Sequence, residues 1–139
     1  MTLFKSIVLA TALLASANVA ADWHIEGQQG VMSISTENQQ KQVLLFECKM
    51  DTAGMDIMVR NATGDWTEVA DLEVDGQTYS TPFESWREDY YKEFYQALEK
   101  GKVVKVTTVN GSVNGTFKLS GTKDAFGSYG KPDQSCTPE

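Results

Sequence analysis

The residue types in this sequence that commonly do chemistry are one histidine, two cysteines and nineteen carboxylates. A serine or cysteine nucleophile of the usual hydrolase kind needs a histidine as its base. The single histidine, His24, stands beside Trp23 near the predicted start of the folded chain, where side chains are usually poorly held. The sequence also lacks the Gly-x-Ser-x-Gly, His-Glu-x-x-His, phosphate-loop and dinucleotide-binding patterns. No catalytic residue is therefore predicted.

The carboxylates leave a second interpretation open. Two acidic side chains that converge in a sheet cleft can serve as general acid and general base. No spacing marks one pair among the nineteen, and a solvated acidic surface is the simpler interpretation. The alternative is a small-ligand-binding protein or a carboxylate-dependent hydrolase.

Sulfur-containing side chains raise a soft metal site as a further alternative. Cu(I) favours thioether and thiolate ligands, and the sequence offers Cys48, Met50, Met55 and Met58 together with His24. On a strand, Met55 and Met58 point to opposite faces because their offset is odd. Methionine as an adaptable core residue explains them better, so neither a metal nor another cofactor is predicted.

Residues 1–21 have the pattern of a secretory signal peptide. A single lysine precedes an apolar run over residues 7–15, and small residues follow. The run is shorter than the roughly 20 residues that a membrane-spanning helix needs, so no stable membrane insertion is expected after cleavage. We predict cleavage after Ala21, with Ala20 as the alternative, and one β-rich domain over residues 22–139. The short leader is typical of bacteria, so the expected location is periplasmic or secreted.

Both cysteines, Cys48 and Cys136, fall within the predicted exported domain. An even number of cysteines in an oxidising compartment indicates a disulfide. Closing so long a loop is worth about 4–5 kcal/mol in the chain-entropy model. We therefore predict a bridge between these two residues that stabilises the fold.

Composition and charge narrow the class of partner. Hydrophobic residues make up 41% of the chain and charged residues 22%, which is typical of a globular domain. Twelve basic residues stand against nineteen acidic ones, a formal net charge of -7. Nucleic acid is excluded as a partner, because binding phosphates needs a basic face.

The elements that must position these residues are mostly strands, since apolar residues recur with a period of two. Asp75-Gly76 and Asn110-Gly111 suit tight hairpin turns, and the glycine of Asn114-Gly115 indicates a bulge or a displaced turn. The expected fold is mainly β, an antiparallel sandwich or curved sheet of about seven short strands. The strand segments lie near residues 23–25, 31–34, 42–50, 54–60, 69–74, 77–83, 102–109 and 113–119.

One packed α-helix is predicted near residues 86–100. Ser85 and Glu88 form a capping-box pattern at its start, and the lysine before Gly101 with that glycine predicts a left-handed stop. The stripe expected to face the core consists of Tyr90, Phe94 and Ala97.

Two tyrosines of this helix, Tyr91 and Tyr95, fall off the apolar stripe. Packing of both rings on neighbouring loops is the first interpretation. The partner-binding prediction takes the other one, an exposed pair, since tyrosine is a favoured anchor in protein interfaces. A loop over residues 124–131 is expected to be exposed as well. The predicted partner-binding residues are Trp86, Tyr91, Tyr95, Ser128 and Tyr129.

Several short motifs carry a family resemblance. They are the helix end and strand over residues 94–109, the Gly-Thr-Phe-Lys-Leu-Ser-Gly segment over residues 115–121, the Asp-Ala-Phe sequence at 124–126 and the late Cys136. In these features the chain resembles the VasI/TagO-like family of type VI secretion-associated envelope proteins. Cys48, after its apolar strand, resembles the family's other cysteine, so the resemblance implies the same disulfide.

A second resemblance is carried by the Leu-x-x-Gly-Lys turn over residues 98–102 and the strand that follows. These resemble invasion-associated locus B proteins, which are also exported. Both resemblances imply an exported envelope protein, and neither supplies a catalytic residue.

The expected function is that of a periplasmic, non-enzymatic protein that binds a protein partner in the envelope. Such a protein would be a secretion-system accessory or have an immunity or inhibitor role. Inhibition of a lysozyme-type hydrolase is a narrower form of this hypothesis, because an acidic surface speeds encounter with a basic enzyme. A small-ligand-binding protein or a hydrolase remains the alternative.

Overall fold

The structure is a computed structural model that describes residues 22–49, 54–84, 87–111 and 114–127. Outside these ranges lie the predicted signal peptide and Trp86, Ser128, Tyr129 and Cys136. Within them, the helices are all too short or too polar to cross a membrane.

The described ranges contain nine strands and two helices, which confirms the prediction of a mainly β fold with a packed helix. The predicted strand over residues 77–83 is divided in two at Pro82, which has no backbone N–H to donate. The strands are β1 (Trp23–Gln28), β2 (Val31–Glu37), β3 (Val43–Lys49), β4 (Gly54–Arg60), β5 (Trp66–Val74), β6 (Gln77–Ser80), β7 (Phe83–Glu84), β8 (Val103–Thr108) and β9 (Asn114–Lys118). The helices are α1 (Glu88–Lys100) and α2 (Thr122–Phe126).

The described strands pair antiparallel in one open sheet, in the order β1-β2-β3-β4-β5-β8-β9. β4 and β5 pair only from the register pair of Met58 with Glu68 to that of Arg60 with Trp66. Beyond that point β7 pairs with the start of β4, and β6 pairs with the end of β5. The sheet therefore splits between β4 and β5, and the segment from β6 to β7 fills the split.

A one-residue bulge interrupts β5. Val69 pairs with Thr108 and Asp71 pairs with Thr107, so Ala70 is an extra residue on β5. Because of this extra residue, the core-facing side chains are at odd-numbered positions before the bulge and at even-numbered positions after it. The side chains of β5 that are buried in the core are Val69 before the bulge and Leu72 and Val74 after it.

One face of the sheet, here called the inner face, is buried beneath α1 and α2. Phe83 of β7 stacks on Phe94 of α1 with ring centroids 3.9 Å apart. Phe46 of β3 meets Phe126 of α2 edge to face at 4.9 Å. The strand residues of this core include Ile34, Leu44, Phe46, Ile57, Val59, Val69, Leu72, Val104, Val106 and Phe117, each at most 2% exposed.

Tyr91 and Tyr95 are both 0% exposed, so the prediction that they form an exposed pair is wrong. The physical reason is that α1 contacts both β7 and α2, which widens its buried stripe to a second side. The Tyr95 hydroxyl lies 2.5 Å from the carbonyl oxygen of Phe126, to which it donates, and 3.0 Å from that of Gly127. Tyr90, predicted for the core, is only partly buried.

The ends of α1 differ from their predicted form. Arg87 is the N-cap and makes no side-chain capping hydrogen bond, while Ser85 lies outside the described residues. Gly101 is extended, with φ -70° and ψ 156°, so the predicted left-handed stop is wrong. A Cβ at Gly101 would lie 2.5 Å from Val74 Cγ1 and 2.7 Å from the Ala97 carbonyl oxygen. Close packing, and not backbone handedness, requires glycine here.

The predicted turns are confirmed in one case and corrected in two. Asp75 and Gly76 both have positive φ, 47° and 89°, as a tight hairpin of this type needs. At the second hairpin Gly111 has positive φ and Asn110 does not, and β8 and β9 are separated by more than two residues. The bulge predicted at Gly115 is wrong, because that residue pairs with Val106 in regular register.

Candidate functional site

The opposite face of the sheet, here called the outer face, carries a shallow depression across β1 to β5. Side chains of neighbouring strands lie side by side there: Leu45 of β3 is the register partner of Ser35 on β2, and Val43 of β3 is the register partner of Arg60 on β4. The depression has a volume of about 360 Å³. We call it the outer basin, and its principal residues are His24, Glu37, Val43, Leu45, Arg60 and Trp66.

Trp66 is the largest exposed side chain of the outer basin. Its ring is 44% exposed, although a tryptophan usually buries most of its surface. The guanidinium carbon of Arg60, its register partner on β4, lies 5.7 Å from the ring centroid, within the range of a cation–π contact. Val43 and Leu45 are half-buried beside this pair. The result is an aromatic and aliphatic surface that carries one fixed positive charge.

The turn between β4 and β5 holds Trp66 in place. The Asn61 side-chain oxygen accepts hydrogen bonds from the backbone N–H groups of Thr63 and Asp65, each at 3.0 Å. The Asn61 N–H donates to the Asp65 carbonyl oxygen at 3.0 Å. These three hydrogen bonds fix the turn that precedes Trp66, so the backbone that presents the ring is already ordered before a partner binds.

Carboxylates surround the outer basin. Glu47 and Asp56 are direct register partners, an arrangement of like charges that destabilises a sheet slightly. Arg60 lies in the basin itself, and Lys41 Nζ lies 3.5 Å from a Glu37 carboxylate oxygen in an exposed pair. The outer-face carboxylates of β1 to β5 before the bulge are Glu26, Glu37, Glu47, Asp56 and Glu68. This surface is therefore negative around its apolar centre.

A second depression lies where β9 passes the ends of β1, β2 and β3. The Trp23 indole N–H donates to the Ser120 carbonyl oxygen at 3.0 Å, and the Asn38 amide donates to the Thr116 carbonyl oxygen at 3.2 Å. Between these contacts is a groove of about 690 Å³, here called the corner groove. It is lined by residues that include Asp22, His24, Glu37, Val103, Phe117 and Lys118. His24 and Glu37 also line the outer basin, so the two depressions adjoin at these residues.

The possible metal ligands are separated by the sheet. Met55 lies in the inner core at 6% exposure, while Met58 lies on the outer face, as their odd offset predicts. Cys48 belongs to the inner core and His24 to the outer basin. Among the described residues, no three His, Cys, Asp or Glu side chains come close enough to hold a metal ion.

The predicted partner-binding residues are not brought together. Tyr91 and Tyr95 are buried in the core, and Trp86, Ser128 and Tyr129 lie outside the described residues. The segment predicted as an exposed loop begins instead inside α2, where Phe126 is 1% exposed. No predicted residue of the described ranges therefore lies in the outer basin.

Cys48 lies on the inner face of β3 and is 3% exposed. The described ranges contain no free cysteine. Its predicted partner, Cys136, is outside those ranges, so the pairing stays a prediction. Phe46, two residues away on the same face, contacts Phe126, and the last described residue, Gly127, follows that phenylalanine.

The sequence reasoning missed Trp66. The signal was present, because strict alternation through β4 and the turn at residues 61–65 place Trp66 on the face opposite the core. An aromatic residue in an outward position of a strand is informative, since it exposes a large apolar side chain.

Comparison with known proteins gives one match. A family model, YfjT, matches residues 21–126, which spans β1 to α2. No curated protein and no solved structure matches the chain. The match does not test the resemblances to VasI/TagO-like or invasion-associated locus B proteins, which stay predictions. The chain belongs to the YfjT family.

Proposed function

We propose that this protein is an exported, non-enzymatic component of the bacterial envelope that binds a basic protein partner through the outer basin. The observation that carries the proposal is the exposed Trp66 ring, held against Arg60 among half-buried aliphatic side chains. Tryptophan and arginine are the residues most enriched among those that dominate binding energy at interfaces.

The charge of the surface supports a basic partner. Five carboxylates surround an apolar centre that holds one arginine, and the chain as a whole carries a net charge of -7. Complementary charge at the rim accelerates association and lowers affinity for acidic competitors. We therefore expect the affinity to fall as salt rises from roughly 50 to several hundred millimolar, because the added ions screen the attraction between the two proteins.

Export is supported by the sequence of residues 1–21 and by the cysteine pair. A signal peptide places the domain in an oxidising compartment, where a disulfide persists. A secretion-system accessory and an immunity or inhibitor protein would both be exported, disulfide-bonded proteins that act by binding a partner.

The test compares three forms of the mature protein, residues 22–139, as bait in periplasmic extract: wild type, Trp66→Ala and Ile25→Ala. Ile25 is the matched control, because it is an apolar side chain, 51% exposed, on the opposite face of β1, where it pairs with the buried Ile34. We expect wild type and Ile25→Ala to retain the same basic protein, and Trp66→Ala to bind it at least tenfold more weakly by titration. Equal retention by all three forms would overturn the proposal.

The narrower hypothesis, inhibition of a lysozyme-type hydrolase, follows from the same acidic surface. Muramidases of basic charge are mixed with micromolar protein, and their turnover is measured with wild type and Trp66→Ala. Inhibition by wild type that is lost in the variant supports this role. Unchanged turnover across the panel removes it and leaves the other envelope partners.

A further inference from the structure

The edge of β9 that faces away from β8 opens into the corner groove. The Leu119 N–H donates to the Lys102 carbonyl oxygen at 2.9 Å, so the backbone of residue 119 faces β8. In an antiparallel ladder this direction alternates, which turns the N–H and C=O groups of Thr116 and Lys118 toward the groove. Among the described strands β9 pairs with β8 alone.

One of these groups already accepts a hydrogen bond. The Thr116 carbonyl oxygen accepts a hydrogen bond from the Asn38 side-chain amide at 3.2 Å, in the position where a neighbouring strand would offer a backbone N–H. The Asn38 side-chain oxygen meanwhile accepts from the N–H groups of Gln40 and Gln42 at 3.1 and 2.9 Å. The Asn38 side-chain amide therefore fills a hydrogen-bonding position on the edge of β9 that the backbone N–H of an added strand could fill instead.

The groove has room and charge for a peptide. Its volume of about 690 Å³ lies within the range of ordinary ligand sites, roughly 300–1,000 Å³. Asp22 and Glu37 stand on its β1–β2 side, with Val103 and Lys118 on the β8–β9 side. An extended peptide presents alternate side chains to one side, so lysine or arginine at every second residue would meet the two carboxylates while its backbone meets β9.

We propose that the partner contributes an extended basic segment that pairs with the free edge of β9 in the corner groove and adds a strand to the sheet. This inference rests on the proposed function, since the groove adjoins the outer basin at His24 and Glu37. Main-chain hydrogen bonds supply affinity in such strand addition, and the alternate side chains supply specificity.

The competing interpretation is that the edge is only protected. Lysine on an edge strand discourages pairing with other chains, and Lys118 with the Asn38 cap fits that role. The two interpretations differ in one measurable respect, which is whether a peptide with free N–H groups binds along β9.

The experiment uses the mature protein and an eight-residue probe of alternating lysine and valine, acetylated and amidated. We expect backbone amide shifts at Thr116 and Lys118 in NMR titrations, and at least tenfold weaker binding by the same peptide N-methylated at alternate residues. A glutamate-valine peptide is the charge control and should bind at least tenfold more weakly. Because only the peptide is changed, a difference in binding cannot come from misfolding of the protein.

A protein variant gives a second test. Thr116→Pro removes an N–H that points away from β8, and Thr116→Ala is its matched control. With both folded by circular dichroism, we expect only the proline variant to lose at least tenfold in peptide affinity.

The outcomes separate the two proposals. Shifts near the Trp66 indole without shifts on β9, or equal binding of the N-methylated peptide, overturn strand addition and leave the outer basin as the binding surface. Shifts on β9 without any effect of Trp66→Ala support strand addition and contradict the role of the basin. No shift at either place contradicts both.

Discussion

The two faces of the same strands differ in how deeply their side chains are buried. On β3, Leu44 and Phe46 are 0% exposed beneath the helices, while Val43 and Leu45 are half-buried in the outer basin. The inner face is closed by aromatic pairs such as Phe83 with Phe94. The outer face leaves its aromatic residue exposed among carboxylates. Because neighbouring residues on one strand serve opposite faces, stability and recognition should respond to separate substitutions.

The largest expected effect is on the inner face. Phe94→Ala removes a ring that stacks on Phe83 and whose centroid lies 5.5 Å from that of the Tyr79 ring. This change should lower the free energy of unfolding by about 3–5 kcal/mol. Trp66→Ala, on the outer face, removes a side chain that is 44% exposed and contacts Arg60, and should lower it by a smaller amount, about 1–2 kcal/mol. Urea denaturation of both variants checks the contrast. Similar losses in the two variants would show that the faces are not separate in stability.

Cys48→Ser tests whether the inner face is also held covalently. If Cys48 is bonded to Cys136, the variant should lose about 2–4 kcal/mol relative to the oxidised wild type. Cys136→Ser and the double variant should lose the same amount, because each breaks the same bond. Melting curves without reductant provide the measurement. Losses that add in the double variant would indicate two independent thiols.

Gly101→Ala probes the closest approach between α1 and the inner face. Its new Cβ would overlap Val74 Cγ1 at 2.5 Å and Leu119 Cδ1 at 2.8 Å, an overpacking that should cost about 1–3 kcal/mol. Gly27→Ala is the matched control on β1, where a Cβ meets nothing within 4 Å. Equal stability of the two variants, measured by urea denaturation, would contradict the packing requirement.

The smallest effect concerns alkaline pH. Burial, and then the charge of Glu93 and the neighbouring Tyr90, raise the pKa of Tyr79 above the ordinary tyrosine value of 10.0. The neutral hydroxyl therefore favours the folded state below that ordinary value, and this stabilisation is lost as pH rises through the higher folded pKa. Between pH 9 and about pH 12, wild type should lose more stability than Tyr79→Phe. Parallel pH profiles would show that Tyr79 ionises equally in both states.

Much of the fold follows from local patterns. Alternation predicted β4 at its observed bounds, and Asp75-Gly76 predicted a hairpin whose two residues do have positive φ. These features depend on neighbours in sequence, which a single chain displays directly.

The features that sequence reasoning missed depend on contacts distant in sequence. Tyr95 is buried because α2 packs against it, and the Phe126 carbonyl oxygen of that helix accepts a hydrogen bond from its hydroxyl. Gly101 is needed because Val74 packs against it. The corner groove exists because β9 passes the ends of strands that precede it by some eighty residues, as the contact of Asn38 with Thr116 shows. No local spacing carries that information.

The bulge at Ala70 determines where β5 can change length. Asp71 and Glu73 face outward, and Leu72 and Val74 inward, because one extra residue precedes them. Deletion of that alanine would leave every later side chain on its present side. An insertion or deletion of one residue between Asp71 and Glu73 would turn Glu73 into the apolar core, so natural length variants of this segment should be confined to the bulge.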